Sequence, residues 1–164
     1  MLSVTFAGAP LTLEGEQVKV GDKLPVVALV DNDLASFSTA DTSGVRVFLT
    51  VPSLDTPVCD LEVRTFNQKA ADMDSVSIYV VSADLPFAQA RWCGQQGIDA
   101  VKTLSDHRGG GFALATGTFI SELELLTRAV IVVDANDTVT YTEFVPEITD
   151  APDYDAAYAA LAAL

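Results

Sequence analysis

Two cysteines, Cys59 and Cys93, and a single histidine, His107, stand among 164 residues, so sulfur chemistry is the first to weigh. Cys59 lies in Val51-Pro52-Ser53-Leu54-Asp55-Thr56-Pro57-Val58-Cys59-Asp60. The residue before a proline is pushed out of helical dihedrals, and proline at a first helical position needs no amide hydrogen. Thr56 is therefore expected as a helix N-cap, Pro57 as the first helical residue and Cys59 as the third. There the sulfur sits among unpaired amide hydrogens at the positive end of the helix dipole, a setting that favours a thiolate. Helical spacing puts Cys59 on one face with Val63, Phe66, Ala70 and Met73, which turns the sulfur toward the core and implies a small pocket. The competing reading is a small buried apolar residue with no chemistry.

Magnitudes show what else a reactive cysteine needs. A free thiol with pKa near 8.5 is about 3% ionised at pH 7, and bringing such a group to ~6 takes roughly 3.4 kcal/mol. A helix terminus contributes ~0.3–1 kcal/mol, with ~2 in partly buried cases, so a cation or strong hydrogen bonds must help. Nine lysines and arginines offer few choices. Arg128, opening a strand over Ala129 to Val133, is one, with a solvated strand-end arginine as its alternative. Arg64, five residues past Cys59, projects from a different part of the helix. Full ionisation gains only ~2 kcal/mol against the ~8 or more that enzymes supply, so Thr56, the Cys59 amide and Arg128 would also have to stabilise a transition state.

Cys93 sits in Arg91-Trp92-Cys93-Gly94, in neither a CxxC nor a zinc-knuckle spacing. With Gly94 as the residue ending its helix, Cys93 could attack an oxidised Cys59 before sulfinic acid accumulates; an unrelated core thiol is the alternative. His107, in Ser105-Asp106-His107-Arg108, would suggest a papain-like hydrolase if paired with Cys59, whereas a loop histidine is commonly plain surface. Asp55 and Asp60 would disfavour a thiolate and are expected to face outward or to cap.

The elements that must position these residues follow from the pattern. Val4 to Phe6 and Leu11 to Leu13, broken by Gly8-Ala9-Pro10, read as an N-terminal β-hairpin. An apolar run over Val26 to Val30 ends in the polar turn Asp31 to Asp33. A β-branched strand over Val45 to Val51 precedes the Cys59 helix. Then come a strand over Val76 to Val81, a helix from about Pro86 to Cys93, a strand over Val101 to Leu104 and a turn at Gly109 to Gly111. Ala129 to Val133 and Val139 to Phe144 flank Asp134 to Asp137 as an antiparallel pair. Tyr154, Tyr158 and Leu161 mark one face of a closing helix on the sheet. The alternation indicates an α/β sandwich, and the length fits one domain over residues 1–164.

Composition narrows the function. A formal net charge of −14 disfavours nucleic-acid and membrane surfaces. The longest apolar stretches fall far short of the roughly 20 residues of a membrane helix, and the start lacks the layout of a secretory signal, so a cytoplasmic protein is expected. Zinc ligation by cysteine and histidine has too few ligands, and GxGxxG, GxxxxGK[ST] and GxSxG are absent.

With these residues in place, the chain resembles the thiol peroxidases of the atypical two-cysteine peroxiredoxin family over nearly its whole length. Pro52, Thr56 and Cys59 reproduce the PxxxTxxC pattern within VPSLDTPVCD. SADLPFAQARWCG, over Ser82 to Gly94, is similar to the segment carrying that family's resolving cysteine. TLSDHR, RAVIVVD and YTEFVPEIT are further similar strings. The resemblance implies a thioredoxin-like three-layer α/β/α sandwich with a mixed central sheet. It implies that Cys59 attacks a hydroperoxide and becomes a sulfenic acid, that Thr56 hydrogen-bonds thiolate and substrate, that Arg128 holds the thiolate and polarises the peroxide, and that Pro52 shields the pocket. Cys93 would then form an intramolecular disulfide with Cys59, thioredoxin would reduce it, and no metal, flavin or haem would be needed. Hydrogen peroxide and alkyl hydroperoxides are the implied substrates and a homodimer the implied assembly. Gly109 to Gly117 departs from the family's strings, which bears on loop shape and dimer contacts. Against this peroxidase stand two other readings, a cysteine hydrolase using His107 and a noncatalytic binding module on the same fold.

Overall fold

The computed structural model describes residues 3–73, 75–98 and 100–164; Met1, Leu2 and the Ala70 side chain, which belong to the readings above, lie outside the described residues. A seven-stranded mixed sheet has the order β11-β10-β5-β6-β7-β3-β4. Its members are β3 (Ala28–Val30), β4 (Ser36–Ser38), β5 (Val45–Thr50), β6 (Val76–Ser82), β7 (Val101–Ser105), β10 (Ala129–Val133) and β11 (Val139–Phe144). β5, β6 and β7 run parallel, and β10 and β3 flank them antiparallel. Every residue of β10 is buried, which explains its unbroken apolar sequence: a strand covered on both faces has no polar side to alternate with.

The two faces are divided by side-chain alternation. Val47, Leu49, Val80, Val130 and Val132 pack against α1 (Pro57–Ala71), α2 (Pro86–Gln96) and α4 (Tyr154–Ala162). Phe48, Val81, Ile131 and Val133 point the other way, onto α3 (Gly111–Thr116) and the segment around Val18 and Leu24. The result is the α/β/α layering expected from the sequence. As expected too, Tyr154 and Tyr158 meet Phe66, and Leu161 is buried.

The N-terminal hairpin forms as β1 (Ser3–Phe6) and β2 (Ala9–Glu14), and extends through β8 (Phe119–Ile120) and β9 (Leu125–Leu126) into a second, four-stranded sheet. Its turn is Ala7-Gly8, both at positive φ of 49° and 84°, so Ala9 and Pro10 belong to the strand rather than to the break. The two-residue turn with positive φ matches the twist of the strands. Glu147 pins this hairpin to the loop after β11: it accepts from the Thr5 hydroxyl at 2.6 Å and from the amides of Ala7 and Gly8. Hydrogen bonds from the Thr5 and Thr149 hydroxyls hold its carboxyl down at about 2. The apolar run Val26 to Val30 is strand only from Ala28. β4, α3, β8 and β9 are short elements that no periodicity announced.

Candidate functional site

The parallel strand β5 ends at Thr50 and the chain turns through Val51 to Thr56 before α1 begins at Pro57. Thr56 Oγ1 accepts from the Cys59 amide at 3.4 Å, as an N-cap does, and donates to the Ser53 carbonyl at 3.1 Å. The loop is stapled from below by Asp84. Its carboxylate accepts from the Ser53 hydroxyl at 2.7 Å, the Leu54 amide at 2.9 Å and the Ser82 hydroxyl at 2.7 Å. Gln89 of α2 donates to Ser82 Oγ and to the Leu104 carbonyl, tying the loop, β6, β7 and α2 into one network.

Cys59 is fully buried, on a face with Val63 and Phe66, and Met73 packs against the same cluster. Its sulfur accepts from Arg128 Nη2 at 3.1 Å. Arg128 is not a solvated strand-end residue: it is 1% exposed, and the Ile148 carbonyl fixes its guanidinium by accepting from Nε at 3.1 Å and Nη2 at 2.9 Å. The remaining Nη1 donates to Glu62 at 2.5 Å. A cation held this way is placed to make a charge-assisted hydrogen bond to the sulfur. Burial weakens the hold of Arg128 on its proton, but Glu62 and Cys59 more than offset it and the net direction is upward.

Glu62 is the functional neighbour that sequence reasoning missed. An acidic residue three positions past Cys59 on a helix reads as solvent-facing, and only the buried arginine on a distant strand makes burial tolerable. Burial raises its carboxyl to about 7, against the opposing pull of Arg128. One carboxylate oxygen, Oε1, has no hydrogen-bond partner.

Next to the site lies an apolar cleft of about 270 Å³ lined by Phe6, Pro52, Thr56, Pro57, Arg128 and Ile148, among others; Arg128 and Thr56, which both bond to Cys59, are the residues that connect it to the buried sulfur. Pro52 is buried on its wall. Phe6 reaches the cleft from the hairpin, and Ile148 from the loop whose Glu147 anchors that hairpin. The arrangement can activate a sulfur nucleophile and orient a small, partly apolar electrophile whose polar atoms meet Arg128.

Cys93 is half-buried on α2 and unbonded to Cys59; both thiols are free. Its sulfur contacts Thr103 Oγ1 at 3.6 Å and lines a different cavity, with Asp31, Asn32 and Lys102. Burial pushes its thiol up, against hydrogen bonds from Thr103 and Asn32. The expected helix end at Gly94 is corrected: α2 runs on to Gln96. Gly97 takes the left-handed conformation at φ 65°, and Ile98 donates to the Cys93 carbonyl at 3.1 Å. Both glycines permit a terminus, but it is Gly97 that takes the left-handed conformation and is followed by the closing Schellman-type bond.

His107 shares no contact with Cys59. It faces the Ser105 hydroxyl at 2.9 Å and lines a separate cavity with Ala83, Gly109 and Phe119, which removes the geometry that a cysteine hydrolase requires. Asp55 is exposed. Asp60 accepts from Arg64 at 3.0 Å and from Trp92 Nε1 at 3.2 Å. Among the described residues no helix is long and apolar enough to cross a membrane.

Comparison with known proteins gives a consistent result. The Redoxin family model matches residues 19–158. A thiol peroxidase of Clostridium acetobutylicum is 53% identical over 154 residues, covering 94% of each chain. One of Bacillus subtilis is 50% identical over 165 residues, covering 100% of this chain and 99% of its own. A solved peroxiredoxin-like protein of Aquifex aeolicus superposes with a TM-score of 0.92 at 40% identity, covering 99% of this chain and 97% of its own. A thiol peroxidase of Chromobacterium violaceum does so with 0.91 at 25% identity, covering 99% and 96%.

Proposed function

Because the chain belongs to the thiol peroxidases of the peroxiredoxin family, with their thioredoxin-like fold, we propose that it is a two-cysteine enzyme in which Cys59 reduces the hydroperoxide, Cys93 resolves the product and thioredoxin restores both thiols. Peroxidase activity follows from the family; the residue roles and the cycle are the proposal. The observation that carries it is the 3.1 Å contact between the Cys59 sulfur and Arg128, a residue that also lines an apolar cleft.

In the first step the Cys59 thiolate attacks the distal peroxide oxygen, an S–O bond forms as O–O breaks, and the departing alkoxide or hydroxide takes a proton. Negative charge moves from sulfur to the leaving oxygen. A guanidinium already held by Ile148 and Glu62 can interact with both ends of that movement without reorganising, which is where electrostatic catalysis is gained. Thr56, at the mouth, would turn its hydroxyl hydrogen from the Ser53 carbonyl to the substrate, and Pro52 and Phe6 keep water from the reacting atoms. The apolar lining suits hydrogen peroxide and alkyl hydroperoxides alike. In the second step the Cys93 sulfur attacks the Cys59 sulfenic acid, S–S forms, S–O breaks, and the hydroxide leaves with the Cys93 proton as water. The dithiol of thioredoxin then reduces the disulfide. We assign the enzyme to the cytoplasm, as a homodimer.

The test is turnover of hydrogen peroxide and cumene hydroperoxide with thioredoxin, thioredoxin reductase and NADPH. Wild type should turn over, and Cys59→Ser and Cys93→Ser should not, while Cys93→Ser still forms one sulfenate per chain. Undiminished turnover in Cys59→Ser would overturn the assignment.

A further inference from the structure

The residue after Cys59 and the residue before Cys93 are joined directly. Trp92 Nε1 donates to Asp60 Oδ1 at 3.2 Å, and the other oxygen of Asp60 is held by Arg64 within the same helix. Trp92 is only 7% exposed and belongs to the core cluster that contains Cys59, Val63 and Phe66. Successive residues on a helix point about 100° apart, so with Trp92 seated on α1 the Cys93 sulfur faces the cavity of Asn32 and Thr103 instead of Cys59. A disulfide needs Cα atoms within about 7 Å and aligned Cβ directions. Rotating or unwinding α2 to bring Cys93 round necessarily lifts the neighbouring indole from Asp60.

We propose that Trp92 and Asp60 are positioning residues for the resolution step: their hydrogen bond latches α2 in the state that reacts with peroxide, and its release sets how fast Cys93 reaches the Cys59 sulfenic acid. This rests on the two-cysteine cycle proposed above. The latch decides between two fates of one intermediate. Closed, it leaves the sulfenic acid facing the cleft, where a second hydroperoxide oxidises it to sulfinic acid and is itself reduced to an alcohol or water. Open, it lets Cys93 attack, with loss of water. Holding the latch shut thus makes the enzyme more easily over-oxidised, and loosening it protects the enzyme.

The test compares wild type, Trp92→Phe, Asp60→Ala and Asp60→Asn. Rapid alkylation and mass analysis follow the Cys59–Cys93 disulfide after one equivalent of hydrogen peroxide, and sulfenate formation is timed separately in a Cys93→Ser background. Removing the indole donor or its acceptor should speed disulfide formation about tenfold, the lower end for losing a bond to a charged acceptor. The peroxide concentration giving half sulfinic acid should rise by the same factor, while sulfenate formation by Trp92→Phe stays unchanged. Asp60→Asn keeps an acceptor oxygen and should fall between wild type and Asp60→Ala. Asp60 is partly exposed, so its variants report even if Trp92→Phe fails to fold. Disulfide formation at the wild-type rate or slower in Trp92→Phe and Asp60→Ala would overturn the latch and leave the cycle standing. Absence of the disulfide in wild type would overturn the cycle itself.

Discussion

Replacing Glu62 by glutamine should flatten the pH dependence of stability. In the folded protein the Glu62 carboxyl is fully buried and raised from 4.5 to about 7 by burial, even after the favourable pull of Arg128. The folded state therefore binds this proton more tightly than the unfolded chain does. Stability from this group is complete below about 4.5 and is lost as pH rises through about 7. Moving a carboxyl over that range corresponds to about 3 kcal/mol. Glu62→Gln keeps the shape and an acceptor for Arg128 but has no proton to lose. Urea unfolding of the reduced proteins, followed through the single tryptophan, Trp92, at pH 5, 6, 7 and 8 gives the difference curve. The variant should be close to wild type at pH 5 and gain relative to it toward pH 8, on the order of 2–3 kcal/mol. Asp106, a buried carboxyl raised in the same direction with no electrostatic tie to Glu62, acts alike in both proteins and cancels. Parallel curves from pH 5 to 8 would refute the reasoning, because they would mean that burial is already fully compensated by the ion pair.

Arg128→Met should cost more than the loss of a neutral contact. It strands the Glu62 carboxylate, about 3–5 kcal/mol at pH 8 and markedly less at pH 5 where Glu62 is protonated, and it should lower peroxide kcat/KM by a factor of about 100 or more. Adding Glu62→Leu should restore stability in urea titrations without restoring turnover. Thr56→Ala removes the acceptor for the Cys59 amide and should lower stability by about 1 kcal/mol in the same titrations. Thr56→Ser keeps the hydroxyl and should retain both stability and turnover.

The pattern of legibility has a physical basis. Local rules placed Thr56, Pro57 and Cys59 correctly, because capping and proline sterics act within a single turn and leave their mark on neighbouring residues. β10 is legible for a related reason, since a strand buried on both faces carries an unbroken apolar run, and β5 and β6 keep most of such a run, interrupted by Arg46 and Ser77. Arg128 could be nominated but not placed. Its role depends on the Ile148 carbonyl and on Glu62, 66 residues away in sequence, and nothing local distinguishes a guanidinium at 1% exposure from one in water. Glu62 was invisible for the complementary reason, since each member of a buried ion pair looks like a surface residue until its partner is known. The end of α2 was misjudged by three residues because Gly94 and Gly97 are equally able to stop a helix, and the choice between them is made by the Ile98 amide closing onto the Cys93 carbonyl. That choice matters for the chemistry. With the helix continuing past it, Cys93 sits inside a hydrogen-bonded turn and not at a frayed end, so the disulfide proposed above would require helical bonds to break as well as Trp92 to leave Asp60. In the proposed cycle, resolution is then set by opening of α2, whereas the peroxide step uses the cleft lined by Arg128 and Thr56.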